Sequence, residues 1–185
     1  MRGMPTHVAL LRGINLGPHK RVAMPALRAL VASLGHTDVA TYIASGNVVF
    51  TAGSSPVLAA DLEKAIAAEL DVTCRVVVRT CAELAEVVAH TPYPNQTNPK
   101  LVHAIFLTDD PDPEAEVHLA AARERAAARG SRDEARIVGR TLYLHTPDGF
   151  GRSKLAEELS RPRGPAEGTA RNWATVTKLL AMCES

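Results

Sequence analysis

The sequence predicts an α+β protein of two consecutive units, each an antiparallel sheet with helices, closed by a C-terminal helix. Three observations carry that expectation. β-prone runs alternate with stretches of helical period, two short glycine-bearing turns each join a pair of β-prone runs as hairpins, and a proline-rich stretch at 91–99 separates two similar successions of elements.

In the first succession, Val8 to Leu11 is a short apolar run ending at Arg12-Gly13. Met24, Leu27, Leu30, Val31 and Leu34 then repeat at helical spacing, with Pro25 in the first turn and Gly35 past the end. Val39 to Ala44 and Val48 to Thr51 flank Ser45-Gly46-Asn47, whose Gly and Asn tolerate the positive φ of a tight hairpin. Ser55-Pro56 opens a helix with Leu58, Leu62, Ile66 and Leu70 on one face, and Cys74 to Val78 reads as the fourth strand. Thr80 and Glu83 form a capping box for a helix to about His90.

The second succession begins after the linker, giving units at 1–92 and 93–185. Leu101 to Leu107 reads as a strand, and Asp112-Pro113 starts an alanine-rich helix ending at Gly130. Ala135 to Val138 and Thr141 to His145 make a hairpin around Gly139-Arg140, and Ser153 to Leu159 a short helix. No fourth strand is evident, and a last helix spans about Asn172 to Cys183 with Trp173, Val176, Leu180 and Cys183 as its apolar seam. Sequence identity between the two halves is not visible.

A β-α-β-β-α-β unit with right-handed crossovers orders its antiparallel strands 4-1-3-2, so strands one and two run the same way. The loop Gly13 to Val22 and the turn Ser45-Gly46-Asn47 are therefore expected at one edge of the sheet.

With 185 residues, 20 acidic and 21 basic side chains and 46% hydrophobic residues, the chain is neither disordered nor globally basic. Three cysteines, Cys74, Cys81 and Cys183, lack C-x-x-C spacing, and neither a disulfide framework nor a zinc site is expected, which favours a reducing cytoplasm. No run suits a signal peptide or a bilayer span, so no membrane association is expected.

Charge is unevenly spread. Arg2, Arg12, Lys20, Arg21 and Arg28 precede the first acidic residue, Asp38. The loop Arg12 to Arg21 carries glycines that let backbone amides approach an anion beside these cations, without Walker spacing; an ordinary solvated basic loop has the same composition. Gly149-Phe150-Gly151-Arg152-Ser153-Lys154 feeds a helix N-terminus, suited either to an anion or to Ser153 as N-cap. It is no dinucleotide fingerprint, and no cofactor is expected. The only tryptophan, Trp173, reads as a core anchor, with Arg171 and Asn172 at the helix start as candidates.

Catalytic signatures are missing: no H-E-x-x-H, no G-x-S-x-G, and Cys81 and His90 fall about 180° apart on a helix turning about 100° per residue. Whether the chain is an enzyme stays open.

Ala9-Leu10-Leu11-Arg12-Gly13-Ile14-Asn15-Leu16-Gly17, Thr41 to Phe50, and Gly151-Arg152-Ser153-Lys154-Leu155 followed by Arg171-Asn172-Trp173 closely resemble a bacterial family, the domain-of-unknown-function family 1697. The resemblance runs from about Val8 to Leu179 and implies two ferredoxin-like (α/β-plait) subdomains, with no established activity. It marks Arg12, Asn15, Arg21, Ser45, Asn47, Arg152, Ser153, Lys154, Arg171 and Asn172 as the polar set. The sequence departs from the family pattern at Pro18, which removes an amide from the loop, at Lys20, which adds a cation, and at Ala23 and Ala44.

The expected function is binding of a phosphate-bearing ligand, nucleic acid or nucleotide, in a basic groove between the halves. Arg12, Arg21, Arg152, Lys154 and Arg171 would meet phosphates, and Asn15, Asn47 and Asn172 sugar or base edges. Two alternatives are an enzyme for a small anionic metabolite and a non-catalytic interaction module in which Arg152 and Arg171 pair with carboxylates such as Asp148. Oligomeric state is not readable from the sequence.

Overall fold

A computed structural model describes residues 3–162 and 167–185. Arg2, counted above in the basic N-terminal stretch, lies outside them. The elements run β1 (His7–Leu11), α1 (Met24–Ser33), β2 (Thr37–Tyr42), β3 (Asn47–Thr51), α2 (Leu58–Leu70), β4 (Val76–Thr80) and α3 (Cys81–Ala89). They continue as β5 (Val102–Leu107), α4 (Ala115–Ala128), β6 (Glu134–Val138), β7 (Thr141–His145), α5 (Lys154–Leu159), β8 (Gly168–Asn172) and α6 (Trp173–Cys183). Two four-stranded antiparallel sheets result, β2-β3-β1-β4 and β6-β7-β5-β8; the first has the expected strand order and the second repeats it.

One compact unit comprises Met1–Glu86 with Thr177–Ser185, and the other Val87–Val176. The divisions fall inside α3 and α6, whereas the sequence places the boundary in the 91–99 stretch. In the first unit Ala9, Leu11, Val48, Phe50 and Val76 line the sheet face packed against Leu27 and Val31 of α1 and Leu62 and Ile66 of α2. Burying each of the large side chains among these stabilises the unit by about 1.5–3 kcal/mol. In the second, Leu107, Leu142 and Leu144 meet Leu119, Ala122 and Ala126 of α4 and Leu155 of α5. Small alanines on α4 let α5 approach, and the nearly buried Glu158 is answered there by Arg125 at 2.7 Å, Arg161 at 3.0 Å and Arg129 at 3.2 Å.

The structure corrects several expectations. A fourth strand exists in the second half: β8 pairs with β5, placing Arg171 opposite Ala104. In the first half the fourth strand is Val76–Thr80, two residues later than expected, with Arg79 opposite Val8. Both shifts share a cause. Arg79 and Arg171 are 3% and 7% exposed, and each guanidinium donates to the carbonyl of its preceding residue, Val78 at 3.0 Å and Ala170 at 2.9 Å. An arginine whose head is held by backbone occupies a buried position on the sheet face away from the unit's helices, where hydropathy expects no charge.

Two corrections concern α6. Its seam is Val176, Leu179 and Cys183, all buried, with Leu180 only partly so. And Cys183 is not free: it forms a disulfide with Cys81, leaving Cys74 as the buried thiol. The two cysteines stand 102 positions apart, a separation that leaves no local spacing pattern in the sequence. The capping box forms as expected, with Glu83 N–H donating to Thr80 Oγ1 at 3.0 Å and Thr80 N–H to Glu83 Oε2 at 2.7 Å.

Candidate anion-binding site

The loop after β1 and the β2–β3 turn do meet at one sheet edge in the first unit. Leu11 N–H donates to Gly46 O at 2.9 Å, and a Cβ at Gly46 would lie 2.7 Å from Ile14 Cδ1, so at φ +86° only glycine fits this crossing. Asn15, itself left-handed at φ 55°, is the clasp. Its side-chain amide donates to Val22 O at 2.9 Å and Ala44 O at 2.8 Å, and its Oδ1 accepts Val22 N–H at 2.8 Å. Asn47, fully buried, donates from Nδ2 to Tyr42 O and Ser45 Oγ, both at 2.9 Å. Asn15, Ser45 and Asn47 thus build the platform.

On that platform φ is positive at Gly13 and Asn15 and not at Ile14 or Leu16, an alternation that turns successive N–H groups toward a common side. The amides of Gly13, Ile14, Leu16 and Gly17 make no hydrogen bond to other described residues. Arg12, His19, Lys20 and Arg21 are exposed around them, and Lys20 and Arg21 enter no ion pair among the described residues. Leu16 at the tip is 85% exposed.

The second motif is organised differently. Ser153 Oγ accepts Ala156 N–H at 2.9 Å as the N-cap of α5 and donates to Asp133 Oδ2 at 2.9 Å. Asp133 Oδ2 also accepts Leu155 N–H at 3.3 Å. The anion attracted by this helix start is therefore a carboxylate of the chain itself, one that no motif in the sequence singles out. Lys154 Nζ donates to Arg129 O. Asp148 pairs with Arg132, whose hydrogen bond, followed by its charge, holds the carboxyl below its usual range; Arg152 adds a smaller pull in the same direction. Asp148 therefore has Arg132 as its ion-pair partner, not the Arg152 or Arg171 of the interaction-module alternative.

Arg171 stands on β8, not at a helix start. Its guanidinium also donates to Thr169 Oγ1 at 2.8 Å, and burial lowers its pKa to about 10, still cationic at neutral pH. Asn172 is the N-cap of α6, accepting Thr175 N–H at 2.9 Å. Trp173 lies 6.3 Å from Tyr143, whose hydroxyl donates to Val87 O. Among the described residues no three metal-ligating side chains converge.

Two antiparallel sheets of this strand order, each with its helices, define a protein of two ferredoxin-like halves. The chain belongs to the family described as protein of unknown function (DUF1697), whose profile matches residues 4–143. That span contains Arg12, Asn15, Arg21, Ser45 and Asn47 and ends before Arg152. Among solved structures it is similar to the conserved bacterial protein SP0830 from Streptococcus pneumoniae, at 19% identity and a TM-score of 0.70 over 98% of this chain and 99% of that one, a likeness of fold. No curated protein matches.

Proposed function

We propose that the first unit binds a phosphate-bearing ligand, nucleic acid or nucleotide, on the loop Arg12 to Arg21, and does so in the cytoplasm. The observation that supports this most is the set of unbonded amides at Gly13, Ile14, Leu16 and Gly17, held in place by Asn15 and bordered by exposed Lys20 and Arg21. Backbone donors fix an anion's position and the cations supply its counter-charge. No helix among the described residues is long and apolar enough to cross a membrane. For Arg152, Ser153, Lys154 and Arg171 a locking role is favoured, because Asp133, Arg129 O and Thr169 already engage three of them.

Titration with an oligonucleotide across a salt series tests this. Three to five phosphate contacts give a log–log slope of roughly −2 to −4.5, and removing two cations by Lys20→Ala with Arg21→Ala makes it shallower by about 2. A nucleoside triphosphate, titrated in parallel, separates nucleotide from polymer. Unchanged binding of both by the double variant refutes the assignment.

A further inference from the structure

The Cys81–Cys183 pair closes a span of 102 positions, with Cα atoms 5.9 Å apart, inside the usual range for bridged cysteines. Its two sulfurs stand in unlike places. Cys81 is the first residue of α3 and partly exposed, with the capping Glu83 in the same turn. Cys183, at the end of α6, is 2% exposed. The third cysteine, Cys74, is buried, and burial pushes its thiol pKa up, with Glu63 adding to the effect and Lys20 opposing it. A reagent in solution therefore reaches Cys81 before the buried Cys183.

We propose that Cys81 is an exchange site for small disulfides of the glutathione class and that Cys183 is its resolving thiol. In the reduced protein the Cys81 thiolate attacks one sulfur of the small disulfide. A bond forms at Cys81 Sγ, the small S–S bond breaks, and the departing thiolate takes up a proton. Cys183 then gives up its proton and attacks Cys81 Sγ, expelling the second small thiolate, which is protonated in turn. Two protein thiols are oxidised and one small disulfide is reduced to two thiols; excess small thiol drives the same steps backwards. The bond joins the start of α3 to the end of α6, so its state decides whether Thr177–Ser185 is covalently closed onto the first unit.

The test is mass spectrometry on folded, full-length protein, reduced with dithiothreitol, exposed to oxidised glutathione and quenched with an alkylating agent. Wild type is expected to lose two hydrogens and yield a linked Cys81–Cys183 peptide. Cys183→Ser should accumulate one glutathione on Cys81, and Cys81→Ser should take none. Resistance of the native bond to dithiothreitol, an adduct on Cys74 or Cys183 in Cys81→Ser, or no adduct in Cys183→Ser overturns the proposal. Should the variants not fold, amide exchange in wild type decides: residues 177–185 exchange more slowly when oxidised, and equal rates in both states count against a redox-set closure.

Discussion

After the first strand of the first unit the chain runs through Arg12 to Arg21, with Arg12, Lys20 and Arg21 and no carboxylate; after the first strand of the second it runs through Thr108 to Glu114, with Asp109, Asp110, Asp112 and Glu114 and no cation. Both loops are tied to the neighbouring hairpin turn by matching bonds, Leu11 N–H to Gly46 O at 2.9 Å and Leu107 N–H to Arg140 O at 3.0 Å. In the second unit the turn answers the loop's charge: Arg140 reaches Asp110 at 3.5 Å and donates to Thr108 O at 3.0 Å. In the first, the neutral Asn15 does the tying and the positive charge of Lys20 and Arg21 has no ion-pair partner among the described residues. Topology dictates that the two loops meet; side chains decide whether the meeting place is charge-balanced within the chain, as in the second unit, or left basic, as in the first.

Removing the neutral clasp tests this contrast most severely. Asn15→Ala loses three hydrogen bonds and leaves the left-handed backbone without the side-chain amide that offsets its strain, an expected cost of about 3–4 kcal/mol read from the denaturant midpoint. A loss below about 1 kcal/mol would mean the loop holds its shape without Asn15.

The paired histidines give the next effect. His7 and His103 occupy equivalent strand positions, opposite Thr80 and Asn172, and each stacks on a phenylalanine, Phe50 at 5.8 Å and Phe150 at 4.1 Å. Burial lowers both; for His7 Glu83 pulls back, whereas burial takes His103 to about 4. A neutral folded ring whose unfolded value is 6.5 contributes fully above that pH, and the contribution is lost as pH falls from 6.5 towards 4. The loss is about 3 kcal/mol for His103. His103→Leu should flatten that stretch of the stability profile more than His7→Leu does; equal flattening would break the contrast.

The smallest expected effect is that of the charged clasp. Arg140→Ala removes a partly exposed ion pair and one backbone contact, an expected 0.5–1 kcal/mol, or roughly a quarter of the Asn15 effect in the same urea titration. A cost equal to that of Asn15→Ala would show that the two clasps bear alike on their units.

Most elements are legible because period and punctuation agree: Pro25 and Gly35 bracket α1, Thr80 and Glu83 announce α3, and Gly46 and Gly139 mark the hairpins. The two last strands are not, since Arg79 and Arg171 stand at positions where hydropathy expects an apolar residue. With those strands aligned, Val78-Arg79-Thr80-Cys81-Ala82 and Ala170-Arg171-Asn172-Trp173-Ala174 occupy the same place in each half, a correspondence too short and too polar to stand out in the sequence. Of the candidate site, the basic loop and its meeting with the turn follow from charge and strand order. Asp133 at the start of α5 does not, because a carboxylate twenty positions before the Ser153 it caps with leaves no local pattern.

Because the first unit takes in Thr177–Ser185 as well as Met1–Glu86, it is assembled from two stretches that Val87–Val176 separates in sequence. Val87–Val176 therefore stands as an insertion within the first unit, whose two stretches must meet across it. A backbone cut within Val87–Val176 would leave the Cys81–Cys183 bond as the covalent tie between the two stretches of the first unit.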